Sequence, residues 1–302
     1  GALLASGETI QPQFKATAGS VVKFTDYTGF TVLSQTNLVS NNILNVLRGD
    51  LGQFEFLKGL FTMFNLLVIQ DKQNSSNLII EPYKSVFIDA ASQYITHKTL
   101  DWTSKVDISE IKLKPLKLKK KVFLDFVEDS NDYPLGIYKN ATGYQYGSRE
   151  IDASIFTGLD GETKIEAKPF SSTFVKPIFD GFTTEMTVPV IYKGNEDGTF
   201  ESYDNKPRIL YNIGKVTMSN NTYFIPAQNS LSSENQSSFL QFSHLTETPT
   251  TANTKDYNFK TGQLIGSIGN TPIDNLYNTY WSPYYDELYN PDTRTVNIKI
   301  YL

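Results

Sequence analysis

DLGQFEFLKGLFTMFNLLVIQ, residues 50–70, reads as a helix running straight into a strand. Leu51, Phe54, Leu57, Leu60, Phe61 and Phe64 recur at three-and-four spacing, the interval that places side chains on one face of an α-helix. Asp50 stands where an N-cap would, and Gln53 three residues on completes a capping box. Most of the remaining chain reads as strands and turns, so this large aromatic face has to be buried against a sheet. Leu66 to Gln70 and Asn77 to Ile88 then flank a polar turn at residues 71–76, which makes a helix backed by a loose hairpin the expected unit.

A second aromatic helix-into-strand unit closes the sequence, TYWSPYYDELYNPDTRTVNIKIYL at 279–302. Ser282-Pro283 supplies a cap and a proline at the first helical position, and Asn290-Pro291 ends the helix. Val296, Ile298, Ile300 and Leu302 then alternate as in a strand. Tyr280, Trp281, Tyr284, Tyr285 and Tyr289 are the candidate interface residues. Their helical spacing points to core and subunit-interface anchors, while their polar-tipped rings would also suit a sugar platform. Tyr284, Tyr285 and Leu288 cannot share one narrow stripe, which leaves aromatic surface for a partner.

Composition narrows the function classes. The 302 residues carry 20 Phe and 18 Tyr with 20% charged residues, the profile of an ordered chain with large aromatic packing. A net charge of -5 argues against nucleic acid as the main ligand, because neutralising phosphates needs a basic face. The absence of Cys removes disulfides, thiolate metal sites and Cys nucleophiles together. Apolar runs are strand-sized and fall short of the about eighteen residues of a membrane helix, so no membrane segment is expected.

The expected class is mainly β with minor α, an α+β chain of β-barrel or β-sandwich domains with two short aromatic amphipathic helices packed on sheets. Three segments follow: 1–149, an N-terminal α+β domain; 150–265, a β-rich barrel or sandwich; and 266–302, a helix-strand unit that completes or docks onto a sheet. Within the first, Ser20–Phe24 and Thr28–Leu33 look extended and Asn41–Leu47 weakly helical. Lys and Leu alternate over 111–124 as in a half-buried strand with a cationic outer face, interrupted at Pro115. In the second, Asp160-Gly161 and Asp197-Gly198 suit hairpin turns of a meander. The polar stretch 228–258 reads as a long surface loop.

Catalytic constellations do not emerge. His97 and His244 lack motifs and read as solvated or core-rim side chains. Asp125, Glu128, Asp129 and Asp132 lack calcium-loop spacing and read as a solvated turn. Glu196 with Asp197, and Asp286 with Glu287, are adjacent carboxylates that point apart. The lysines from 117 to 121 are followed at once by acids, which suits a solvated strand face better than a nucleic-acid patch. No cofactor or metal, and no enzymatic activity, is expected.

The phrases FLKGLFTMFNLLVIQD (56–71), NLIIEPYKSVF (77–87), DWTSKVD (101–107), KKKVFLDFVEDSNDY (119–133) and the terminal unit at 279–302 together resemble tail and baseplate structural proteins of tailed phages, hub-type proteins that close the tail tube in particular. The resemblance implies a β-barrel-based virion component in the tail or baseplate. It would form a homo-oligomeric ring, trimer or hexamer, around the tail axis, contact other tail proteins and let DNA pass transiently. It carries no active-site residues with it. A β-sandwich carbohydrate-binding or adhesin module for host surface glycans is the competing expectation, drawn from the abundant Tyr and Asn.

Overall fold

The computed structural model describes residues 51–71, 73–89, 102–114, 116–177, 186–195, 197–217, 223–225, 234–247, 251–260 and 271–301. The chain clusters into two compact units, Gly1–Asp50 and Leu51–Leu302, and every element below belongs to the second. The readings for Ser20–Phe24, Thr28–Leu33, Asn41–Leu47, Asp50, His97, Pro115 and Glu196 lie outside the described residues.

Helix α1 (Gln53–Met63) leads through Asn65, at positive φ, into the antiparallel hairpin of β1 (Leu66–Gln70) and β2 (Leu78–Pro82), with Val68 opposite Ile80. A π-helical turn, Lys84–Ile88, follows. The element order then runs β3 (Val106–Lys114), β4 (Lys119–Asp125), α2 (Tyr133–Thr142), β5 (Arg149–Asp152) and β6 (Asp160–Glu166). Strand β4 is the centre of a three-stranded sheet, antiparallel to β5 and parallel to β6. Asp160-Gly161, with Gly161 at φ 70°, therefore opens a parallel strand and not a hairpin.

The middle of the chain builds small pairs. These are β7 (Val175–Pro177) with β8 (Thr187–Pro189), and β9 (Lys193–Gly194) with β10 (Phe200–Glu201) around Asp197-Gly198, which does form the hairpin read from sequence. Next, β11 (Tyr211–Thr217) and β12 (Tyr223–Ile225) pair antiparallel with β14 (Ser238–Ser243) and β13 (Glu234–Gln236) respectively, as two separate two-stranded sheets. The stretch 228–258 is thus not simply a loop, since β13 and β14 lie within it. A short parallel pair, β15 (Lys255–Asp256) and β16 (Asp274–Asn275), precedes a π-helical turn (Tyr277–Trp281), helix α3 (Ser282–Leu288) and strand β17 (Thr295–Ile300). The protein is mainly β with a few short helices, and no sheet among the described residues closes into a barrel.

The face that α1 buries differs from the aromatic stripe. Gly59 and Met63 are buried and Leu60 and Phe64 pack on the core, whereas Phe54 is 72% exposed and Leu57 is also exposed. The reason lies at Gly59, where a Cβ would stand 2.4 Å from the Lys168 carbonyl and 2.6 Å from the Phe170 ring. Only the glycine lets the backbone come this close, so the helix docks on its Gly59 side and Phe56 meets Phe170 edge-on at 5.2 Å. Gly59→Ala should accordingly lose about 1–3 kcal/mol to overpacking, despite alanine's better helix propensity. Urea unfolding checks this, and a gain in stability would show that the helix stands farther off. The amino end also differs from the capping box: Gly52 is the N-cap and provides no side-chain cap.

Val122 and Leu124 of β4 form one core with Phe126, Phe170, Phe259 and Trp281, joined by Leu276 and Tyr285. Residues from all three segments marked off along the sequence enter this cluster. The terminal helix is part of that interior, and its π-turn and α3 are continuous: Ser282 has helical φ and ψ, and its Oγ bonds Asp286 at 2.9 Å instead of capping. A further helix, α2, escaped the pattern reading. Asp132 caps it by accepting from the Leu135 N–H at 3.2 Å, Pro134 sits in its first turn, and Gly143 ends it at φ 77°.

Candidate functional site

Strands β3 and β17 form an isolated antiparallel ribbon, with Leu113 opposite Val296 and Val106 opposite Ile300. Between the pairs Lys112–Asn297 and Asp107–Lys299 the register slips, so Ile108 to Ile111 bulge outward against Ile298 alone. The alternating Lys-Leu pattern suggested a half-buried strand, but β3 is exposed over most of its length and burial begins only in β4. Ile108 is 82% and Leu113 67% exposed, and Ile111, Val296 and Ile298 are exposed as well. The ribbon thus accepts the terminal strand, and both its outer edges are unpaired among the described residues.

One end of the ribbon is fixed by Asp107. Its carboxylate accepts from the Ser109 N–H and Oγ–H and from the Tyr301 hydroxyl at 2.7 Å, and these bonds hold its pKa below the ordinary carboxylate value. A depressed folded-state pKa contributes order above the unfolded value and loses it as pH falls through the folded one. The Tyr301 contact should therefore be constant from neutrality to about pH 4 and dissolve only below the ordinary carboxylate pKa of about 3.9. Tyr301 ring NMR shifts read this, and Asp107→Asn, which cannot titrate, should remove the transition.

The candidate interface residues of the terminal unit are distributed unequally. Trp281 and Tyr285 are buried and stacked on each other at 5.9 Å, while Tyr280, Tyr284 and Tyr289 are half-buried around them. Trp281 Nε1 donates to the Thr62 and Met63 carbonyls, at 3.1 and 3.3 Å, and Tyr289 Oη donates to the Lys119 carbonyl at 2.6 Å. The cluster therefore fastens α3 to α1 and β4 within this chain. Trp281 and Tyr285 are core anchors, 7% and 6% exposed, which favours the anchor reading over the platform reading at these two positions.

Two polar networks stand where a solvated turn and a solvated or core-rim histidine were expected. Asp129 and Asp132 are buried, and Arg208 Nη2 donates to both, at 2.9 and 2.7 Å, while Nη1 bonds the Ser172 carbonyl. The Tyr203 hydroxyl and the Lys206 N–H complete the shell of Asp129. Asp125 is also buried, with Lys164 at 3.3 Å, and burial is the main cause that raises its pKa. Of the acidic cluster only Glu128 is exposed, paired with Lys139. Among the described residues no three His, Asp or Glu side chains converge as metal ligands.

His244 is buried between Tyr146, whose hydroxyl lies 2.9 Å from Nε2, and Asp256, whose Oδ1 lies 2.8 Å from Nδ1. Burial pushes the Tyr146 hydroxyl well above its ordinary pKa, and Asn258 Nδ2 also lies 3.2 Å from Nδ1. A Tyr-His-Asp chain can relay a proton, but all three side chains are enclosed. Here it ties β14 and β15 to the loop before β5. Arg208 and this chain were missed because their partners lie 12 to 98 residues away in sequence.

A polar cleft of about 560 Å³ opens beside β5, lined in part by Lys121, Tyr144, Arg149, Glu150, Asp152 and Lys260. Nothing in the sequence marked it, because its residues come from separate strands and turns. No helix of the described residues is long and apolar enough to cross a membrane. No protein-family model, curated protein or solved structure matches the chain.

Proposed function

We propose that the protein is a structural, non-catalytic component of a phage tail or baseplate, hub-like, which assembles with copies of itself around the tail axis and connects the tube to a spike or fibres in the virion. The observation that supports this best is the β3–β17 ribbon. A two-stranded ribbon is marginal by itself, and this one presents Ile108, Leu113 and Val296 to solvent with both edges unpaired among the described residues. Such a surface is stable once another strand and apolar face cover it. Strands from neighbouring copies would extend the small sheets, and a trimeric or hexameric ring would be the place where they join into a barrel or sandwich. The acidic net charge suits a conduit along which DNA slides without sticking.

The test is the mass of the full chain in solution and its position in particles. The unsubstituted protein should form a closed ring, and the exposed replacements Leu113→Lys and Val296→Lys should yield folded monomers with unchanged circular dichroism. A wild-type chain that stays monomeric at high concentration, together with virions that lack it in cryo-EM of the tail, would end this reading.

A further inference from the structure

We propose that copies of this chain join head-to-tail, the β3 bulge of one copy seating Ile108 and Ile111 in an apolar groove beside α3 of the next. The inference rests on the self-assembly reading above and names the two surfaces that meet.

The groove has a volume of about 430 Å³ and lies where residues 117–119, strand β6 and helix α3 come together. Leu67, Tyr83, Leu118, Ile165, Tyr284 and Leu288 give it apolar and aromatic walls. Hydrogen bonds within the chain hold these walls in place. The Tyr83 hydroxyl donates to Glu287 at 2.7 Å, and Tyr289 Oη, also at the groove, donates to the Lys119 carbonyl at 2.6 Å. The only charged side chains of the lining are Lys117 and Lys119, and neither has an ion-pair partner among the described residues. Apolar walls with an unpaired cationic rim suit an apolar knob that carries an acid.

The bulge has that composition. Ile108, at 82%, is the most exposed large apolar side chain among the described residues, and Ile111 is 51% exposed. Glu110 stands between them, exposed and without an ion-pair partner among the described residues. With Asp107 at its base, the segment 107–112, DISEIK, is net acidic despite Lys112. No residue of β3 or β17 lines the groove, so a copy does not fill its groove with its own bulge. Knob and groove are different surfaces of one chain. Their contact is therefore heterologous, and it repeats from copy to copy until a ring closes.

Sedimentation velocity of the full chain and two variants tests it. Ile108→Asp spoils the knob, and Lys117→Glu combined with Lys119→Glu turns the rim of the groove acidic. All three side chains are exposed, so circular dichroism should be unchanged. Each variant alone should self-associate about tenfold or more weakly than the parent chain. Mixed in equal amounts, the two should form a dimer with one copy of each, because the intact knob of the second still fits the intact groove of the first and neither end can extend. An Ile108→Asp chain that assembles like the parent, or a mixture without that dimer, would overturn the docking while leaving self-assembly through another surface. A parent chain that stays monomeric would overturn both.

Discussion

Arg208→Met should lower folding stability by about 3–5 kcal/mol, because it strands two buried carboxylates without their counter-charge. The Arg208 side chain is 5% exposed and those of Asp129 and Asp132 are 4% and 0% exposed, so water cannot take over. Urea unfolding at neutral pH measures the loss. Adding Asp129→Asn and Asp132→Asn to the same chain should recover a large part of it, since asparagine removes the charge and still caps α2 at position 132. Burial is also the main cause that raises the Asp132 pKa, with Arg208 opposing it. A raised carboxylate pKa favours the folded state as pH falls, so the deficit of Arg208→Met should shrink towards about pH 4. A loss below about 1 kcal/mol would mean that the network behaves as a solvated surface pair.

The second large effect is expected at Trp281. Its ring fills the interface of α3 with α1 and its Nε1 satisfies carbonyls at the end of α1, so Trp281→Ala should cost about 3–5 kcal/mol. Phe54→Ala, on the exposed face of α1, should stay within about 0.5 kcal/mol. Thermal unfolding of the two variants side by side distinguishes a core role from an interface role. If Trp281→Ala unfolds like the parent protein and alters only its association, the residue faces a partner and the packing described above is wrong. For the same reason, truncation before the terminal unit should impair folding, because Leu276, Trp281 and Tyr285 leave with it.

Local pattern carried part of this fold to the surface of the sequence. The helix at 53–63, the β1–β2 hairpin, the turn at Asp197-Gly198 and the terminal helix-strand unit were all legible, because periodicity and turn chemistry act over a few residues. Which side of α1 is buried was not legible. Phe54 and Leu57 satisfy the spacing, but the close approach permitted by Gly59 turned the helix another way. Strand β3 has the alternation of a half-buried strand and lies open, because alternation cannot say whether a second layer exists. The polar stretch 228–258 misled in the opposite direction: within it Gln241, Ser243, His244, Asp256 and Asn258 are all buried. Polar side chains go inside when most of their hydrogen bonds are met, and here the partners of Gln241 and His244 include Thr187 and Tyr146, 54 and 98 residues away. The candidate site suffered most from this, since neither the ribbon's exposure nor the cleft beside β5 follows from neighbours in sequence.

The bonds from Trp281 to Thr62 and Met63 span 219 and 218 residues. At ribosomal speeds of about 5–20 residues per second, α1 emerges about 10–40 s before the side chain that closes over its end. During that interval Met63, Leu60 and Phe64 have no lid, and a nascent chain would hold an uncovered apolar helix beside a finished β4–β6 sheet. Slow synthesis thus prolongs exposure, and a holdase chaperone would raise the yield of native protein most in this window.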